Sequence, residues 1–206
     1  MRLIDVSLPL SAATPTYPGN QPVEVETVDN PNSPNISSII KLGSHSGTHI
    51  DAPSHSVRGA KSLDRLELKA FYGPCRVLDM TACQTSVTAD DLKAADIKAG
   101  ERILLKTSNS ERGFREFYDD YVFLAPDGAE YLAQLGVALV GIDSLSIKQR
   151  GNPDNTAHTA IMAKDIPIIE GLNLKDAEAG DYTLVAFPLA FTDIDGSPAR
   201  VVLVTD

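Results

Sequence analysis

Between Gly43 and His55 the chain reads Gly-Ser-His-Ser-Gly-Thr-His-Ile-Asp-Ala-Pro-Ser-His, and no other stretch restricts the fold as strongly. Three of the four histidines fall in its last eleven positions, with Asp51 among them. Pro53 breaks a helix and Gly47 weakens one, so His45 and His49 do not form the i,i+4 face of a helical metal site. In an extended segment His49 and Asp51 point to the same side, roughly 6.6 Å apart at ~3.3 Å per residue, and can share one ion. His45 would lie roughly 13 Å further back along a straight strand, so the chain must fold back to bring it to the same ion. Ser46-Gly47 supplies the bend, because glycine has the backbone freedom for it. Neutral imidazole and carboxylate are ligands that hold Zn²⁺ or Mn²⁺ while leaving room for water. A single histidine is more often structural than ligating, but a His-x3-His-x-Asp-x3-His pattern in a bent loop favours a site.

At 206 residues the chain is long enough to bury a large core, and it is expected to form one domain over residues 1–206. Hydrophobic residues at 43% and charged residues at 22% are ordinary globular values. A net charge of -10 argues against nucleic acid and against an anionic membrane as partners. The N-terminus lacks the basic and apolar regions of a signal peptide, and no stretch approaches the ~20 apolar residues of a membrane span, so a cytoplasmic protein is expected. Cys75 and Cys83 have neither a CxxC spacing nor a neighbouring histidine, which predicts free thiols.

Arg2 to Leu8 reads as a strand, followed by a loop stiffened by Pro15 and Pro18 in which Tyr17 either packs or offers a platform for a flat ligand. Val23 to Val28 alternates apolar and acidic residues, which predicts a half-buried strand; Asn30 to Asn35 is a loop, and Ser38 to Leu42 a strand leading into the histidines. Cys75 to Asp79 and Arg102 to Thr107 are strands, the second apolar enough to be buried on both faces. Thr88 caps a helix running towards Ala95, and Pro126 to Leu135 is a helix closed by Gly136. The aromatic run Phe114, Phe117, Tyr118, Tyr121 and Phe123 fills a core or lines a pocket. Val137 to Ile142 is a buried strand ending at Asp143-Ser144, which either projects into a site or caps a turn. His158 falls on a short helix after Asn155-Thr156, and Ile166 to Ile169 is a strand ending at Glu170. Helix and strand, if packed, bring His158 and Glu170 together. Strands from Tyr182 to Phe187 and Ala199 to Val204 flank a turn at Asp195-Gly196. The repeated β-α-β order predicts an α/β protein.

The segment from His45 to His55 resembles the His-x-Gly-Thr-His-x-Asp-x-Pro-x-His signature of the metal-dependent "cyclase" hydrolases, which include bacterial kynurenine formamidases and isatin hydrolases. Tyr17-Pro18-Gly19, Gly141-Ile142-Asp143-Ser144, the spacing of His158 and Glu170, and Asp195 to Arg200 are similar to further motifs of that family. The resemblance covers most of the chain and is closest to the formamidase branch. It implies a swivelling β/β/α fold with a mixed sheet, a homodimer or homotetramer, and two divalent ions per subunit, zinc or manganese. By position, His45, His49 and Asp51 would hold one ion, Asp51 and Glu170 would bridge to a second completed by His158, and His55 would stay free for proton transfer.

The implied activity is that of an arylformamidase in tryptophan catabolism, hydrolysing N-formyl-L-kynurenine to L-kynurenine and formate. A bound divalent ion lowers the pKa of its water towards ~7 and polarises the carbonyl. His55 can take the water's proton and return it to the leaving nitrogen. The partner is thus a small aryl formamide or cyclic amide. An isatin-like lactam or another cyclic imide is the alternative substrate, and a metal-stabilised module without catalysis is the competing class. The resemblance is incomplete at two positions: the formamidases have Trp where Tyr17 stands, and the family's Asp is replaced by Lys148.

Overall fold

The computed structural model describes residues 1–29 and 31–205. Asn30, the first residue of the loop expected over 30–35, lies outside the described residues. Thirteen strands are present among them: β1 (Arg2–Asp5), β2 (Glu24–Asp29), β3 (Ile36–Lys41), β4 (His49–Asp51), β5 (Tyr72–Asp79), β6 (Ser86–Val87), β7 (Arg102–Lys106), β8 (Phe123–Leu124), β9 (Leu139–Ile142), β10 (Ile168–Glu170), β11 (Gly180–Val185), β12 (Gly196–Pro198) and β13 (Val202–Thr205). The α-helices are α1 (Ala89–Ala94), α2 (Asn109–Arg112), α3 (Pro126–Leu135) and α4 (Thr156–Met162).

Nine strands form one mixed sheet in the order β1-β13-β11-β5-β7-β9-β10-β4-β12. Its centre, β5-β7-β9-β10, is parallel, and both flanks are antiparallel. The parallel centre follows from the helical crossovers, since parallel neighbours need a long connection, and it is buried on both faces. Along β7, Ile103 and Leu105 enter one core with helices α1, α3 and α4, while Leu104 enters the other with Ile50, Phe71 and Leu203. Val140 and Ile142 of β9 divide from Leu139 in the same way. Gly141 sits between them because a Cβ there would overlap Leu104 and come within 2.8 Å of Leu172 Cδ1. This α/β arrangement with a mixed sheet is the expected fold class.

Helix α3 has the predicted bounds, with Pro126 in its first turn and Gly136 left-handed at its end. Helix α1 opens with the expected capping box: the Asp91 amide donates to Thr88 Oγ1 at 3.4 Å, and the Thr88 amide donates to Asp91 at 2.8 Å. Both cysteines are free, and burial raises the pKa of Cys75 to about 12.

The half-buried strand expected over Val23–Val28 is not what forms. Strand β2 pairs only with β3 as a separate two-stranded ribbon, and both strands are exposed on both faces. The period-two pattern makes a strand, but burial of its apolar face needs a second layer, and Val25, Ile36, Ile39 and Ile40 meet none. Among the described residues no helix is long and apolar enough to cross a membrane.

Candidate metal centre

The histidine segment is held by its two ends. Strand β4 lies between β10 and β12, with His49 opposite both Glu170 and Pro198, and Asp51 opposite both Ile168 and Gly196. Gly47 adopts φ +59, the left-handed bend required to bring His45 back over the strand. Thr48, also buried, fixes the turn: it accepts from the Leu8 amide at 2.8 Å and donates to the Gly171 carbonyl at 2.6 Å. Sequence spacing required this fold-back, and the structure contains it.

Four predicted ligands lie in one buried cluster. His49 Nε2 is 3.3 Å from Asp51 Oδ1 and 3.4 Å from Glu170 Oε2. His158 Nε2, carried by α4, is 3.0 Å from Glu170 Oε1 and 3.7 Å from Asp51 Oδ2. His45 reaches Asp51 from the other side, Nδ1 to Oδ1, at 2.6 Å. His49, Asp51 and Glu170 thus form one group with metal-ligand spacing, and His45, Asp51 and His55 a second, with Asp51 common to both. The His45 and His49 rings are 5.1 Å apart edge to face.

The electrostatics of the cluster call for a cation. Asp51 is fully buried and Glu170 nearly so, and two such carboxylates side by side repel each other. Burial opposes a charge on His49, but the neighbouring carboxylates Asp51 and Glu170 outweigh it and raise its pKa to about 10. His45 is likewise raised, burial being offset mainly by Asp51. Burial pushes Asp51 and Glu170 up, yet their histidine partners leave both lowered, Asp51 well below the usual range. His49 Nδ1 donates to the Gly47 carbonyl at 2.9 Å, so its Nε2 is the atom aimed at the carboxylates. His49 Nε2 and Asp51 Oδ2 are buried without a hydrogen-bond partner. Orphaned donor atoms of nitrogen and oxygen type, converging beside two carboxylates, fit a divalent transition-metal ion. A carbonyl orienting the far nitrogen of a ligating histidine is the usual second element of such sites.

Asp195 is the site residue that sequence reasoning missed. It was expected only as half of a turn, yet its Oδ2 accepts from His45 Nε2 at 2.8 Å and lies 3.3 Å from His55 Nδ1. Its backbone carbonyl also accepts from the Ala52 amide at 2.8 Å, tying it to the end of β4. Gly196 belongs to the same device, since a Cβ there would come within 2.9 Å of His45 Cε1. The usable signal was the Asp-Gly pair within a stretch similar to the family's closing motif. His45, bonded at both nitrogens to carboxylates, must release one proton to ligate a cation. His55 is the most exposed of the four histidines, its ring 4.1 Å from that of His45.

His45, His55, His158 and Glu170 open onto a cavity of about 330 Å³, whose other walls include Tyr17, Leu145 and Lys148. Tyr17 packs edge-on against Phe117 at 5.1 Å, as one of its two expected roles requires, and it also lines this cavity. A larger cavity of about 520 Å³, between Asp5, Leu10, Phe187 and Arg200, contains none of the histidines, and the chemistry favours the smaller one. Asp143 caps a turn: it accepts from the amides of Thr107 and Ser110 at 3.0 and 3.1 Å and from both hydroxyls. Burial raises its pKa, and these hydrogen bonds oppose the rise.

Comparison with known proteins gives a consistent result. The Cyclase family model, described as "Putative cyclase", matches residues 4–149. The kynurenine formamidase of Bordetella pertussis (strain Tohama I) is 37% identical over 204 residues, covering 98% of this chain and 97% of the relative. A solved structure described as a potential metal-dependent hydrolase with cyclase activity is similar with a TM-score of 0.88 and 35% identity, covering 98% of this chain and 96% of that one. An isatin hydrolase bound to the product analogue thioisatinate has a TM-score of 0.86 and 26% identity, covering 99% of this chain and 92% of that one.

Proposed function

This chain belongs to the Cyclase family, and from that premise we propose that it is a metal-dependent hydrolase of aryl amides whose substrate is N-formyl-L-kynurenine, cleaved to L-kynurenine and formate. The observation that carries this reading is the convergence of His49, Asp51, Glu170 and His158 on one buried cluster at the floor of the Tyr17-lined cavity. His45, His49, Asp51, His158 and Glu170 would hold two divalent ions, zinc or manganese. When bound, the metal supplies Lewis acidity, polarising a carbonyl and making water nucleophilic at neutral pH.

The chain's own residues account for the rest. His55 is the most exposed of the four histidines, and a Nδ1–H donated to Asp195 leaves its Nε2 to accept a proton. It thus takes the proton of the attacking water and returns it to the departing nitrogen as the amide C–N bond breaks. Asp195 fixes the His55 tautomer while also bonding His45, so both histidines depend on it. Tyr17, braced by Phe117, offers an aryl ring one face of the cavity. The same aromatic wall suits a fused lactam, and the similarity to an isatin hydrolase favours a cyclic amide as the second reading.

Metal analysis together with hydrolysis of N-formyl-L-kynurenine and isatin, followed by absorbance before and after chelation, tests the proposal. Turnover of the formamide that is lost on chelation and restored by zinc or manganese is the expected result. Metal binding without turnover of either compound would sink it. His55→Ala should retain its metal and lose about 10²- to 10⁴-fold in rate, the usual contribution of a positioned acid-base group; full activity would remove His55 from the mechanism.

A further inference from the structure

One wall of the cavity carries a cation that the proposed chemistry does not use. Lys148 is half-buried on that wall, six residues beyond the end of β9. Its main-chain carbonyl accepts from the Tyr121 hydroxyl, which fixes where its side chain starts. Two positive side chains occur in this segment, and only one is committed. Arg150 pairs with Asp119 at 2.5 Å and lies 5.4 and 5.0 Å over the Tyr17 and Phe117 rings. Lys148, among the described residues, forms no ion pair or hydrogen bond through its ammonium group.

The charged groups facing it explain why the ammonium stays available. Asp154 is the nearby carboxylate that feels Lys148, but its Oδ1 is already held by the Thr156 amide at 2.8 Å and hydroxyl at 2.6 Å. Glu170 lies deeper, its Oε1 already held by His158 at 3.0 Å and by the Ile147 amide at 2.7 Å. A solvent-accessible ammonium on a concave surface costs little while hydrated, and it gains a charge-assisted hydrogen bond when an anion takes the place of water. Asn20 and Asn155 line the same cavity and can supply neutral donors beside it.

We infer that Lys148 is a specificity-determining residue that recognises a carboxylate on the substrate, so that the preferred substrates are aryl amides bearing an acidic group and the neutral aryl amide is the poor one. The inference rests on the amide-hydrolase reading above for its catalytic consequence, and on the cavity alone for its binding consequence. An aryl ring against Tyr17 and a carboxylate at Lys148 would orient the scissile amide from two points. This fixes rotation about the ring, which the aromatic wall by itself leaves free.

The test compares the metal-loaded wild type with Lys148→Met and Lys148→Arg on formanilide, its 2-, 3- and 4-carboxylates and N-formyl-L-kynurenine. Binding of the matching aminobenzoates and of aniline is measured by calorimetry on the same preparations. A hydrogen bond to a charged group predicts that Lys148→Met loses about 10- to 100-fold in kcat/KM and in affinity for at least one carboxylated compound. Formanilide and aniline should be unaffected, and Lys148→Arg should recover much of the loss. A carboxylate captured by the metal rather than by Lys148 would leave Lys148→Met indistinguishable from wild type, and that result overturns the inference. An equal loss on neutral and acidic compounds, unrelieved in Lys148→Arg, overturns it as well by marking a structural role. If the wild type hydrolyses none of the amides, the amide-hydrolase reading fails instead, and the aminobenzoate titrations still decide for or against Lys148.

Discussion

Gly171→Ala should damage the metal cluster although residue 171 offers it no side chain. Gly171 follows Glu170 directly, has φ +69, and donates its amide to the Ser144 carbonyl at 2.6 Å. An alanine in this left-handed region costs ~1–2 kcal/mol. Its Cβ would also overlap the Gly47 carbonyl oxygen, with 2.9 Å left to the carbonyl carbon and 3.3 Å to Thr48 Cα. Backbone, unlike a side-chain tip, does not step aside cheaply, and overpacking of this kind adds about 1–3 kcal/mol. The expected total is about 2–5 kcal/mol, or roughly 4–20 °C in Tm for a chain of this size. The displaced carbonyl is the acceptor that orients His49, so metal affinity should fall along with stability. Gly136→Ala is the control, because φ there is +73 and its Cβ would meet nothing within 4 Å, leaving the conformational cost alone. Urea denaturation and zinc competition titrations on both variants give the comparison. Gly171→Ala matching Gly136→Ala in stability and wild type in zinc affinity would refute the argument.

Two further outcomes are expected. Chelated protein should lose stability as pH rises from about 5.5 to 9: Asp51 and Glu170, lowered in the fold, contribute fully above their unfolded pKa near ~4, whereas the raised His45 and His49 contribute fully only below ~6.5, and His49 releases its proton near about 10. Zinc-loaded protein should show the opposite slope over that range, because metal needs the same histidines deprotonated, and parallel urea midpoints with and without metal would contradict a shared ligand set. Thr88→Ala removes the capping box of α1 and should cost ~1 kcal/mol in urea denaturation with no change in metal content; a metal loss would mean that α1 communicates with a site it does not touch.

The sequence by itself determined the elements whose causes are local. Pro126 and Gly136 bound α3, Thr88 and Asp91 open α1, and uninterrupted apolar runs mark β7 and β9 as strands buried on both faces. It also required the bend at Gly47, since no straight segment could bring His45 towards Asp51. Tertiary structure alone decided two things. The alternating residues of β2 are those of a half-buried strand, but burial depends on whether another layer arrives, and among the described residues β3 alone pairs with it. Asp195 reads as a turn residue from its local pattern, because the Asp-Gly pair marks a turn and says nothing of which distant side chain it meets. Only the antiparallel pairing of β12 with β4, which sets Gly196 opposite Asp51, carries it across 150 positions to His45. Local pattern fixes what a segment can be, whereas contact between distant segments is won by packing and hydrogen bonding over the whole sheet, and the candidate metal centre depends on both.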